Sequence, residues 1–206
     1  MVSIIQLLQD YRNDVTKANA MIALAHTVDA AGNNVWGVDE RITITEFSFL
    51  KGFIAWESFL EKSFIYYLRG NLTASNTVVP CHVRPIDDAH ANRILIGVNR
   101  YVDWTNPDIV RKLAGLFFDR GNPFETILSS IQTDLYDLKI IRNASAHISS
   151  TTGSQLDSLS TRKLQRPCTN MTVYSLILVN DPNIPNQTIL QSYADILDAA
   201  AVQITG

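Results

Sequence analysis

Apolar positions along this chain recur mostly at three- and four-residue steps, the period of a helix with one buried face. Ile4, Leu8, Tyr11, Val15, Ala18, Ile22 and Ala25 predict a first long helix over about residues 4–29, closed by Ala30-Ala31-Gly32-Asn33-Asn34. Phe47, Leu50, Phe53, Ile54, Leu60, Phe64, Tyr67 and Leu68 predict a second over about 43–68, stopped at Gly70. The prolines and the β-branched run Thr77-Val78-Val79 then predict an irregular connection around 71–86. Two shorter helices follow, over 87–98 and 107–119, the second opened by Thr105-Asn106-Pro107-Asp108. Asn122-Pro123-Phe124-Glu125 supplies an N-cap, a proline where no N–H is needed and an acid in the first turn. With the stripe Phe124, Ile127, Leu128, Ile131, Leu135, Leu138 and Ile141, it predicts one long helix over about 123–149, ended by Ser149-Ser150-Thr151-Thr152-Gly153-Ser154. Residues 171–179 fit a short strand or a helix, and Ile189, Tyr193, Ile196, Leu197 and Ala200 predict a last helix. The pattern implies an all-α fold, a bundle of about five to seven helices, with residues 1–206 as a single domain.

A chain of 206 residues with 46% apolar content can build one sizeable core, and its net charge of -3 excludes a strongly basic protein that coats nucleic acid. A local basic patch remains compatible with that charge. Cys81 and Cys168 stand alone, without zinc-ligand spacing or a disulfide framework, so neither a metal nor another cofactor is expected. There is no leader-like start and no uninterrupted apolar run of membrane-spanning length, so the expected setting is the reducing cytoplasm, without a membrane partner.

The chemistry concentrates at Ile141-Arg142-Asn143-Ala144-Ser145-Ala146-His147. A guanidinium holds a phosphate through paired N–H donors, and an imidazole moves protons near neutral pH. A second Arg/His pair, Arg84 and His90, begins with Arg84-Pro85, which disfavours helix at Arg84, and lacks the adjacent Asn. On a continuous helix Asn143 and His147 are i,i+4 neighbours, so the amide can orient the imidazole. Arg142 then projects about 140° away from His147, and one helix alone does not close a tight Arg/His site.

Glu57 lies near the middle of the apolar arc of the second helix, with Glu61 beside it, where a carboxylate needs a cation. Arg142 is one candidate partner. Equally, Glu57 pairs with another Arg, or the helix is rotated to bring Trp56 and Phe59 inward. Arg162, Lys163 and Arg166 form a short basic segment that either grips an RNA backbone or is plain solvated surface.

The Arg142-Asn143 and His147 pattern near a helix end, preceded by a helix bearing Trp56-Glu57-Ser58-Phe59-Leu60-Glu61, resembles the HEPN superfamily. Tyr101-Val102-Asp103-Trp104 and Gly121-Asn122-Pro123-Phe124 make the chain most similar to RiboL-PSP-type HEPN proteins. The resemblance covers residues 1–150 well and the remainder loosely. It implies an all-α homodimer with a metal-independent endoribonuclease site at the interface, used in prokaryotic defence or toxin–antitoxin systems with an antitoxin partner protein. It carries catalytic roles to Arg142, Asn143 and His147, and a supporting role to Glu57.

The implied chemistry is transfer of the phosphodiester to RNA's own 2′-hydroxyl, with His147 accepting the proton and Arg142 stabilising charge on the phosphoryl oxygens. A two-fold axis beside residues 141–148 would add a second His147 as the acid. The products would be a 2′,3′-cyclic phosphate and a 5′-hydroxyl, and DNA would resist. Two other classes fit the same residues: a non-catalytic RNA- or nucleotide-binding module, and an interaction subunit in which Arg142, Asn143 and His147 form a structural polar network.

Overall fold

The computed structural model describes residues 2–147 and 149–206. About 66% of the chain is helical and no sheet forms among the described residues, as the apolar periodicity implies. Among the described residues there are nine α-helices: α1 Ile4–Ala25, α2 Val38–Leu68, α3 Asp88–Ile96, α4 Pro107–Phe117, α5 Phe124–Ser130, α6 Gln132–Ala146, α7 Ser150–Leu164, α8 Val173–Ile177 and α9 Ile189–Thr205. That exceeds the five to seven expected, for two local reasons.

First, the single helix expected over 123–149 is two. Ser129 and Ser130 turn their hydroxyls back onto the carbonyls of Glu125 (2.6 Å) and Ile127 (2.8 Å), competing with the helical ladder, and Ile131 leaves helical geometry at φ -113, ψ 19. Its expected N-cap also differs. Asn122 closes a 3-10 turn over Asp119–Gly121, and Pro123 precedes α5 with no side-chain cap bond. Second, the Ser/Thr/Gly run after His147 does end a helix but also opens α7. Ser149 accepts from the Thr152 N–H (3.2 Å) while Thr152 Oγ1 accepts from the Ser149 N–H (3.0 Å), a reciprocal capping box. The ambiguous stretch 171–179 resolves as α8, started by the same device at Thr172 and Ser175. The connection over 71–86 is irregular, as expected, apart from isolated bridges at Leu72–Val78 and Cys81–Phe118.

The chain divides into two compact units. The first comprises residues 1–11, 56–136 and 196–206. Its centre is Phe64, fully buried, with the rings of Phe118 and Phe124 each 4.8 Å away and Trp104 at 5.6 Å. Such ring pairs add about 1 kcal/mol each beyond area burial. Tyr67 donates to the Ile204 carbonyl at 2.7 Å, fastening the end of α9 within this unit. Arg111 clasps Glu125 through Nη2 at 2.7 Å and Nε at 3.1 Å, joining α4 to α5. Trp56 and Phe59 are buried, as are Phe53, Leu60, Phe64, Tyr67 and Leu68 of the expected inner arc of α2, whereas Phe47 and Ile54 of that arc are exposed, so the helix buries a wider arc than its apolar stripe predicts.

The second unit comprises residues 12–55 and 137–195. Leu138, Ile141, Leu156, Leu159, Leu176 and Ile177 form its apolar centre. Asp137 is buried among them at 2% exposure. Its carboxylate receives Tyr193 OH at 2.9 Å, Lys163 Nζ at 3.5 Å and the Arg162 guanidinium.

Candidate functional site

Arg142, Asn143 and His147 all fall in the second unit, at the junction of α6 and α7. Arg142 occupies the last full turn of α6 and is half-buried. Its Nη1 approaches Asn143 Oδ1 at 3.4 Å, a long hydrogen bond, and its Nε is buried with no hydrogen-bond partner. Among the described residues of this unit it makes no ion pair with a carboxylate, and a guanidinium so placed offers paired donors to an anion.

His147 lies one residue beyond the end of α6, not inside the helix as the sequence predicts. Its main chain is held on both sides: its N–H donates to the Asn143 carbonyl at 2.9 Å, and its carbonyl accepts from Thr152 Oγ1 at 2.7 Å. The capping box of α7 thus fixes the backbone from which the imidazole projects. The ring is exposed, and among the described residues its nitrogens make no hydrogen bond. Asn143 meets Arg142, and among the described residues no hydrogen bond joins its amide to the His147 ring, although the backbone bond from His147 to Asn143 keeps the helical spacing of the two residues.

Glu57 and Glu61 belong to the first unit, where both are half-buried on α2. Glu57 and Arg142 thus fall in different units. Of the basic segment, Arg162 and Lys163 are held on Asp137, Arg162 keeping much of its side chain exposed, and Arg166 is an exposed cation beyond α7. The sequence reading missed Asp137. The signal was present: it lies four residues before Ile141 on the buried face of its helix, where a carboxylate demands cations.

The remaining histidines lie elsewhere. His90 is tied into its own loop, its N–H on the N-cap Asp87 at 2.7 Å and its Nδ1 accepting from the Ile86 N–H at 3.3 Å. His26, in the second unit, meets the fully buried Thr45 hydroxyl at 3.1 Å and stacks on Tyr174 at 5.7 Å. Burial, and after it the charge of Arg41, holds its pKa below the ordinary histidine value.

Among the described residues, no group of three or more His, Cys, Asp or Glu side chains is placed to hold a metal ion. No described helix is long and apolar enough to cross a membrane. No known family model, curated protein or solved structure matches the chain.

Proposed function

We propose that this protein is a metal-independent endoribonuclease that works as a homodimer. The observation that carries the reading is the presence, near one helix end, of a half-buried guanidinium in no ion pair with the described residues of its unit and of an exposed imidazole whose backbone is fixed on both sides. Arg142 binds a non-bridging phosphoryl oxygen and stabilises the charge that grows there, while Asn143 steadies the guanidinium. His147 removes the 2′-hydroxyl proton, and that oxygen attacks phosphorus as the bond to the 5′-oxygen breaks. The His147 of a second copy protonates the leaving oxygen, giving a 2′,3′-cyclic phosphate and a 5′-hydroxyl. The resemblance to the HEPN superfamily supports the same chemistry, together with a place in prokaryotic defence and an antitoxin as protein partner. Free thiols at Cys81 and Cys168 fit a cytoplasmic setting.

A second reading rests on the absence, among the described residues, of a hydrogen bond between Arg142 and the His147 ring within one chain. On it, the same residues grip phosphate without cleaving, and the protein is an RNA- or nucleotide-binding module or an interaction subunit. Incubating labelled RNA with the purified protein and EDTA decides between them. The nuclease reading expects cleavage to products with cyclic phosphate ends, and binding without cleavage would replace it with the module.

A further inference from the structure

In the first unit, the loop between α3 and α4 borders a cavity of about 460 Å³. Leu95, Val102, Ile109 and Leu113 contribute apolar side chains to its lining. Asn99, Arg100, Tyr101 and Asp103 line it as well. Tyr101 is 71% exposed, and among the described residues its ring stacks on no other aromatic. Arg100 is exposed and, among the described residues, in no ion pair. The carboxylate of Asp103 is occupied within the loop, where it accepts from the Thr105 N–H at 3.2 Å and from the Thr105 hydroxyl.

The loop is held rather than loose. Gly97 closes α3 at φ 55 with its N–H on the Arg93 carbonyl, a backbone shape that favours glycine. At the far end the Asn106 side chain caps α4, and Trp104 is anchored edge-on against Phe64 at 5.6 Å. Arg100 and Tyr101 are thus presented from a loop fixed at both ends.

We infer that this cavity binds a nucleotide, its base between the Tyr101 ring and the aliphatic wall, its edge on the Asn99 amide and its phosphate on Arg100. A base needs a flat apolar slot, a stacking partner and an edge that both donates and accepts, and an amide side chain supplies that edge. A phosphate needs a cation not already neutralised. The cavity volume lies within the range of sites that enclose a small ligand. The inference is independent of the nuclease reading, because Arg142, Asn143 and His147 lie in the other unit and a mononucleotide has no internucleotide bond to cleave.

The test is calorimetric titration of the full-length protein with AMP, GMP, CMP and UMP. At least one should bind saturably at about millimolar or tighter affinity. Tyr101→Ala should weaken it at least about tenfold, in the range expected for loss of a stacking ring, while Tyr101→Phe should retain it. Arg100→Ala should weaken the nucleotide but leave the matching nucleoside unchanged. Because both side chains are exposed, unchanged circular dichroism is expected throughout. A 2′-O-methyl oligonucleotide separates two sources of the same group: tighter binding that Tyr101→Ala abolishes assigns the cavity to a strand, and affinity no better than the mononucleotide assigns it to a free ligand. Absence of saturable binding by the wild-type protein, or equal affinity in Tyr101→Ala, overturns the inference.

Discussion

Tyr193 donates its phenolic hydrogen to Asp137 across 2.9 Å, inside a unit where that carboxylate is almost wholly screened from water. Lys163 reaches the same oxygen at 3.5 Å and lies 4.6 Å over the Tyr193 ring, and Arg162 takes the other oxygen. One side chain of α6 is thereby joined to α7 and α9, five residues before Arg142. The geometry that presents the candidate site is set by this buried charge as well as by apolar packing.

Replacing Asp137 tests that statement. Asp137→Ala should lower the unfolding free energy by about 3 kcal/mol, since the largely buried Lys163 and the Tyr193 hydroxyl lose the carboxylate between them, while Arg162 is already partly hydrated. Asp137→Asn should cost less, because an amide oxygen can still accept from Tyr193. Tyr193→Phe should cost about 1 kcal/mol, the usual worth of one hydrogen bond. Urea melts measure all three, and an Asp137→Ala protein as stable as wild type would reduce the network to surface decoration.

Apolar periodicity made α1, α2, α4 and α9 legible in the sequence, because each has a stripe long enough to show the helical period. Asn106 before Pro107 marked the start of α4 within one residue. The pattern could not show the break at Ile131, since the apolar stripe runs on through it and the cause is two serine hydroxyls bonding backward. Nor did it show α7, where Ser149-Ser150-Thr151-Thr152 reads as a loop until the reciprocal bonds of Ser149 and Thr152 are seen. Arg142 and His147 were legible as residue types, but their relation was not. That relation depends on where α6 ends, and helix ends are the least certain part of any sequence reading.

His26 should make the second unit sensitive to mild acid. Burial against Thr45 and Tyr174, with Arg41 nearby, favours the neutral imidazole, so the folded-state pKa lies below the unfolded one. The associated stability is fully present above the unfolded value. It is lost as pH falls from that value through the folded one, because the unfolded chain takes up the proton first. Melting temperatures across this window should fall for the wild type and fall less for His26→Gln. A nuclear magnetic resonance titration placing His26 above the ordinary histidine value would reverse the sign and remove the prediction.

The proposed reaction predicts separate losses at its two groups. Arg142→Ala and His147→Ala should each reduce RNA cleavage by at least about a hundredfold, the low end of acid–base contributions, with no loss of helicity. Arg142→Lys should recover little, because an ammonium cannot offer the paired donors of a guanidinium. Cleavage should persist in EDTA, and a DNA strand of the same sequence should survive. Unchanged rates in both alanine variants would move the activity away from this helix end and leave Arg142 and His147 as binding or structural groups.

The last prediction concerns the number of chains in one site. Within one chain Arg142 meets Asn143, and among the described residues no hydrogen bond joins the guanidinium to the imidazole. The reaction also needs a base for the 2′-hydroxyl and an acid for the departing 5′-oxygen, and the motif supplies one histidine. In the proposed dimer, a second copy related by a two-fold axis near residues 141–148 would bring both missing elements, and its affinity would then control the rate. Specific activity should be constant at high protein concentration and fall on dilution through the dimer dissociation constant, in step with the mass measured by light scattering. An excess of the His147→Ala chain should depress wild-type activity by drawing active chains into mixed dimers. Undiminished specific activity from a protein that light scattering shows to be monomeric would mean that one chain holds the whole site, and the two-fold arrangement would have to be given up.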